Sequence, residues 1–184
     1  TGNMQSNRLY RNLGDFEFLD ITSQAGLVTD EVWSTGVSVV DIDGDGWLDI
    51  YVCKSGPPEG NERNNALYIN NRDMTFTERA SEFGLDNRGL SVHAAFFDYD
   101  RDGDLDCYLL NNSIRSIGGY DLRQGEREIP DSLGGNKLLR NDGGRFVDIS
   151  DKAGIYRSQI GFGLGVTVSD INRDDWPDLY ISND

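Results

Sequence analysis

Asp41, Asp43, Asp45 and Asp49 place carboxylates at positions 1, 3, 5 and 9 of a nine-residue stretch, DIDGDGWLD. The spacing recurs in DYDRDGDLD, as Asp98, Asp100, Asp102 and Asp106, and in DINRDDWPD, as Asp170, Asn172, Asp174 and Asp178. Carboxylates this close repel one another in water, and a hard divalent cation removes the repulsion. Calcium takes about six to eight oxygen ligands in flexible geometry, whereas magnesium tends to keep its waters. Three calcium sites are therefore expected. At position 7 the backbone carbonyls of Trp47, Asp104 and Trp176 are expected to complete them, with the Asp104 side chain directed outward. Gly46 permits the sharp turn that brings position 7 round to the ion. The third loop is expected to be weakest: Asn172 removes one charge, and Asp175 stands where the other loops have glycine. The pattern begins like an EF-hand loop, but it closes with Asp at 9 and its flanks have strand character, so a helix-opening switch is not expected. With its ligand positions filled by protein, each ion is read as structural rather than catalytic.

The 184-residue chain carries a formal charge of −15, and 13 of its 32 acidic residues lie in the three loops. Three bound divalent ions would lift the charge to about −9, so part of the acidity is local ligand chemistry. Nothing in so negative a surface would neutralise phosphates, which argues against nucleic acid. The apolar runs are too short to cross a bilayer. Thr1-Gly2-Asn3-Met4 does not resemble a signal peptide, and the chain is read as processed or as a fragment. Cys53 and Cys107 sit at non-equivalent repeat positions, and two buried free thiols are expected.

Elements that position the loops emerge from self-comparison. Asn-x-Leu-x-x-Asn occurs at Asn7–Asn12, Asn65–Asn70 and Asn136–Asn141. A Phe segment followed by a small-Gly-aliphatic turn begins at Phe18, Phe76 and Phe146, with the turns at Ala25-Gly26-Leu27, Phe83-Gly84-Leu85 and Ala153-Gly154-Ile155. From closing Asn to first loop Asp the spacing is 29, 28 and 29 residues. Apolar segments flank each loop: Val37–Val40 and Ile50–Cys53, Ala94–Phe97 and Cys107–Leu110, Val166–Ser169 and Leu179–Ser182. The segments before the loops alternate little, which predicts strands buried on both faces. Trp33 and Phe162 align with Leu90 and are expected in the core. Helix is confined to turns near Ser23–Ala25, Ser81–Phe83 and Asp151–Ala153.

The fold class is all-β: β-propeller blades of four antiparallel strands, with the acidic loop joining the first two strands of each. The expected division of this single repeat region is a half blade at 1–30, a blade at 31–86, a blade at 87–158 with an insertion at 111–135, and a half blade at 159–184. Three blade equivalents do not close a propeller. Three arrangements accommodate them: part of a longer propeller, copies completing one another's half blades, or an open solenoid. In each, the edges at Asn7–Asn12 and Leu179–Ser182 would be prone to self-association.

These motifs resemble the FG-GAP (VCBS) repeats of integrin α-chain propellers. They resemble still more the cartilage acidic protein (ASPIC/UnbV-associated) family. The residues that carry the likeness are the three loops, the NxLYxN segments at Asn7 and Asn65, the segment from Phe18 to Leu27, Phe97–Asp104 and Gly161–Gly165. The resemblance implies a propeller with calcium in its hairpins, an extracellular or cell-surface location, and a binding or adhesion role.

A partner surface is expected opposite the calcium loops, at Lys54–Asn64 and above all at Asn111–Gly135, where Arg115, Tyr120, Arg123 and Arg127 gather cations in an acidic protein. Its ligand would be a protein or a glycan. His93, the only histidine, is read as an inner-strand residue, since no nucleophile or histidine-rich metal set accompanies it. Trp47 and Trp176 are expected to be partly exposed, and Asn111-Asn-Ser113 fits a glycosylation sequon. The leading expectation is a non-enzymatic, calcium-stabilised binding module. The alternatives are a structural subunit joined head to tail through half blades, and a polysaccharide-active enzyme.

Overall fold

The computed structural model describes residues 6–27, 33–56, 63–113 and 126–184. Among the described residues twelve strands form four antiparallel sheets, two of them four-stranded like the expected propeller blades. β1 (Tyr10–Gly14) and β2 (Glu17–Asp20) make a two-stranded sheet. β3 (Trp33–Val40), β4 (Asp49–Ser55), β5 (Ala66–Asn70) and β6 (Phe76–Glu78) make the first four-stranded sheet in chain order. After the short helix α1 (Ala80–Phe83) come β7 (Leu90–Phe97), β8 (Asp106–Asn112), β9 (Lys137–Asn141) and β10 (Phe146–Asp148), again in chain order. β11 (Gly163–Ser169) and β12 (Asp178–Asn183) form the last pair.

Neighbouring sheets stack through their leading strands: β3 packs on β7 and β7 on β11. The largest buried cluster joins Tyr51, Cys53, Leu67 and Ile69 to Ala94, Cys107, Leu109 and Phe146, across two sheets. Side chains bridge the same seam. Ser38 Oγ donates to Ala94 O at 2.6 Å, and Thr35 Oγ1 donates to Ser91 O. Buried Asn65 donates to Tyr51 Oη and Ser91 Oγ, and Ser91 Oγ donates to Asn111 Oδ1. The turn glycines explain another part of the repeat: Gly84 caps α1 at φ 75°, and a Cβ there would stand 2.8 Å from Phe146 O of the next sheet.

Burial on both faces holds for β7, which lies between β3 and β11, and not for its equivalents. Val37 and Val39 of β3 and Leu164 of β11 are exposed, because each of those strands packs on a neighbouring leading strand from one side only. Trp33, expected in the core, is exposed for the same reason, while Phe162 is half-buried and bridges to Asn112. His93 lies on β7 opposite Leu110, as expected. Each leading strand also carries a bulge at the same repeat position, between Ser34 and Gly36, Ser91 and His93, and Gly163 and Gly165, which strand periodicity did not reveal.

Cys53 and Cys107 are buried free thiols, and burial pushes Cys53 up to about 12. Asn111 is fully buried, so its sequon is closed in the folded chain. Arg115, Tyr120 and Arg123 lie outside the described residues; Arg127 falls in a 3-10 turn, Glu126–Glu128.

Candidate metal centre

Each acidic loop is the hairpin between the first two strands of a sheet, closed by the pairs Val40–Asp49, Phe97–Asp106 and Ser169–Asp178. Two residues per loop take the left-handed conformation. At position 4 these are Gly44, Arg101 and Arg173; at position 6 they are Gly46, Gly103 and Asp175. The sequence pattern pointed to position 6 and missed position 4, because arginine there carries no glycine signal. The turns aim backbone N–H groups at the carboxylates. The position 1 carboxylate accepts from positions 5 and 6: Asp41 from Asp45 and Gly46 (3.0 and 2.8 Å), Asp98 from Asp102 and Gly103 (both 3.1 Å), and Asp170 from Asp174 and Asp175 (3.2 and 3.0 Å). The position 5 carboxylates, Asp45, Asp102 and Asp174, accept from the position 7 N–H of Trp47, Asp104 and Trp176.

Position 9 is where the loops diverge. Asp49 and Asp106 are 1% and 0% exposed. Asp49 accepts from Ile42 N (3.0 Å) within its loop and from Asn70 N (2.8 Å) on β5. Asp106 accepts likewise from Tyr99 N (3.0 Å) and from Asn141 N (2.8 Å) on β9. The carboxamides of these two asparagines also donate back to the loops, Asn70 Nδ2 to Leu48 O at 3.0 Å and Asn141 Nδ2 to Leu105 O at 3.3 Å. Asp178 accepts Ile171 N (2.8 Å), but its sheet has two strands among the described residues, and it is half-buried. The closing Asn of the Asn-x-Leu-x-x-Asn repeat is thus the tether of the loop in its own sheet. Sequence reasoning found the motif without this role. From Asp49 to Asn70 is 21 residues and from Asp106 to Asn141 is 35, and that unequal spacing hides the partnership.

Oxygen atoms of Asp41, Asp43 and Asp49 all lie within 4.8 Å of one another, and so do those of Asp98, Asp100 and Asp106. Asp45 and Asp102 are not members of these triads. In the third loop position 3 is Asn172, so no carboxylate triad of positions 1, 3 and 9 is possible there, and Asn172 Nδ2 donates to Asp174 at 2.9 Å. Burial pushes the Asp106 carboxyl up to about 6, against the N–H bonds from Asn141 and Tyr99 and with the charges of Asp100 and Asp104. Asp49 is raised for the same first reason, its own desolvation. The Trp47 N–H, and after it Arg72, hold Asp45 below the usual carboxylate range.

The Asp104 side chain does not point outward. It is half-buried, its Oδ1 is shielded without a hydrogen-bond partner, and desolvation followed by the charges of Asp102, Asp100 and Asp98 raises its pKa. Trp47 and Trp176 at the matching position are 45% and 48% exposed, as expected. Asp100 Oδ1 is also shielded and unpartnered. A shielded carboxylate oxygen without a donor costs free energy that a cation would offset. The donors are all hard oxygens, so both triads fit a divalent ion of the calcium type.

A family model described as FG-GAP-like repeat matches residues 1–52 and 58–109, more than half of the chain. Each match covers β1–β3 and the start of β4, or β5–β7 and the start of β8, so the sequence repeat straddles two sheets. Among curated proteins none matches at a significant level.

Proposed function

The chain belongs to the FG-GAP-like repeat family, and from that premise we propose that it is a calcium-stabilised, non-catalytic binding or adhesion module of an exported protein. The observation that carries this reading is the pair of carboxylate triads at equivalent positions of successive sheets. Asp41, Asp43, Asp45 and Asp49 would hold one ion and Asp98, Asp100, Asp102 and Asp106 a second, with the carbonyls of Trp47 and Asp104. Asp170, Asn172, Asp174, Asp178 and the Trp176 carbonyl would hold a third, once a third strand joins their sheet. The ions supply charge neutralisation within the hairpins. The chain's own residues orient the donors: position 5 to 7 N–H groups fix the carboxylates, and Asn70 and Asn141 draw the position 9 Asp inward.

Loops of this kind fill near 10⁻⁴–10⁻³ M calcium in extracellular modules, as an order of magnitude, which supports an extracellular or cell-surface location. No helix among the described residues is long and apolar enough to cross a membrane. With the carboxylates committed to ions, recognition falls to the opposite face, where a protein or glycan ligand would meet the ends of β4 and β8. Within the family we place the chain nearest the cartilage acidic protein branch, on the Phe18–Leu27 and Gly161–Gly165 segments. A second reading, assembly of copies, draws on β1 and β12, each of which has a neighbour strand on one side only.

Thermal melts in calcium and in EGTA, run beside capture on glycan and protein arrays, test the proposal. Calcium should raise the melting temperature and capture should require it. Equal melting in both buffers, or turnover of a polysaccharide, would overturn it. A chain that changes size with calcium in sedimentation would favour assembly.

A further inference from the structure

Resting on the reading of the hairpins as calcium sites, we infer that Arg72 is a tethered cation that grades them, so that the second loop takes up an ion before the first. Arg72 stands in the β5–β6 turn, two residues after Asn70. Its Nε donates to Asp45 Oδ2 at 3.0 Å, and Nη2 lies 2.9 Å from the same oxygen. Its backbone N–H donates to Asn70 Oδ1 at 2.9 Å. The asparagine that pins Asp49 therefore also presents a guanidinium to Asp45, the position 5 ligand of the same loop.

Arg72 occupies a left-handed position, φ 68°. The residues two places after the other closing asparagines are glycines in that conformation, Gly14 at φ 90° and Gly143 at φ 64°. A side chain here carries a conformational cost that glycine avoids. Arg72 is the residue of the three that carries a charge to the loop.

Nothing equivalent serves the second loop among the described residues. Gly143 has no side chain, Arg140 is bound to Asp142 through two bonds of 2.6 and 3.0 Å, and Arg101 lies over the Trp176 ring at 5.3 Å. The second loop also has Asp104 turned inward where the first has exposed Trp47. An ion entering the first loop meets four carboxylates and one guanidinium; in the second it meets five carboxylates. Ligand charge is a main lever on calcium affinity in such loops. Arg72 is exposed, 62% for its side chain, so its repulsion of an incoming ion is screened and weakens with salt.

Isothermal titration of the chelator-treated protein with calcium tests this. Asp41→Ala and Asp98→Ala assign the steps, each removing one. The wild type should show a tighter step lost in Asp98→Ala and a weaker step lost in Asp41→Ala. Arg72→Gln should tighten the weaker step about two- to fivefold at low salt and leave the other in place. Arg72→Lys should behave as wild type, and the gain should shrink at high salt. An exposed Arg72 makes misfolding an easily checked confound: the EGTA melting temperature of Arg72→Gln should match wild type. Calcium uptake with both steps unmoved by Arg72→Gln overturns this inference alone. Uptake in no variant, wild type included, overturns it together with the calcium reading.

Discussion

Asp106 and Asp178 close loops of identical spacing, yet the first is fully buried and the second half-buried. The difference lies outside the loops. Asp106 accepts an N–H from Asn141 on the third strand of its sheet, and Asp178, in a two-stranded sheet, has no such donor. Asp170 and Asp174 keep their local N–H partners, so the hairpin folds on its own chemistry. What the third strand adds is burial of position 9: Asp106 and Asp49, each held by an N–H of that strand, are closed off from solvent, and Asp178 is not. The nine-residue motif supplies donors, and a strand distant in sequence buries the last of them.

Substitution at position 9 should separate the two regions most sharply. Asp106→Ala strips the acceptor from two N–H groups, those of Tyr99 and Asn141, and leaves them facing a buried space. Each such donor costs about 1–3 kcal/mol, so a loss of about 3 kcal/mol is expected in EGTA, before any metal is counted, and Asp49→Ala should match it. Asp178→Ala frees only the Ile171 N–H on an exposed loop and should cost less than about 1 kcal/mol. Urea denaturation of the three variants checks the ranking, and equal losses at Asp106 and Asp178 would break the comparison.

Aligned glycines repeat the contrast in backbone packing. A Cβ on Gly36 would stand 2.2 Å from Val92 O of the adjoining strand, whereas on Gly165 its nearest neighbour is Ser182 Oγ at 3.1 Å, the tip of a movable side chain. Gly36→Ala should destabilise by about 1–3 kcal/mol through forced displacement of β7, and Gly165→Ala by a few tenths. Differential scanning fluorimetry is sufficient to order them.

The sheet architecture, the loops and the inner-strand place of His93 were legible because each rests on local pattern repeated in register. Apolar segments bracket each loop, and a turn glycine follows each Phe segment. Three features were not legible, and two of them arise between elements remote in sequence. Trp33 aligns with half-buried Leu90 but lies on a strand that packs on one side only, so equivalence in the repeat did not give equivalent burial. Asp104 turns inward because its environment is a ring of loop side chains rather than a turn type. The tethering by Asn70 and Asn141 is hidden by loops of unequal length between the partners.

Those tethers allow a finer test. Asn141→Ala keeps the N–H that Asp106 accepts and loses the carboxamide bonds to Leu105 O and from Gly144 N. Asn70→Ala loses the bonds to Leu48 O and from Arg72 N. About 1–2 kcal/mol is expected for each. Asn12, the same motif residue in the two-stranded sheet, accepts Gly14 N and holds no loop, and Asn12→Ala should cost about 0.5 kcal/mol. Calcium affinity should fall in the first two variants and hold in the third.

The remaining effect is one of pH. With its folded pKa raised to about 6, Asp106 binds a proton more tightly in the folded chain than in the unfolded one. Where the folded state holds more protons, stability falls as pH rises. In EGTA the protein should therefore lose stability between about pH 4 and pH 6, by about 1 kcal/mol per unit where the proton difference is near one. Calcium demands the ionised carboxylate, so its stabilising effect should grow over the same window. Asp106→Asn should flatten the EGTA slope, and Asp178→Asn should leave it intact. Melts at pH 5 and pH 6 with and without calcium suffice. A slope that Asp178→Asn removed instead would locate the buried charge in the wrong loop and undo the distinction between the paired and unpaired hairpins.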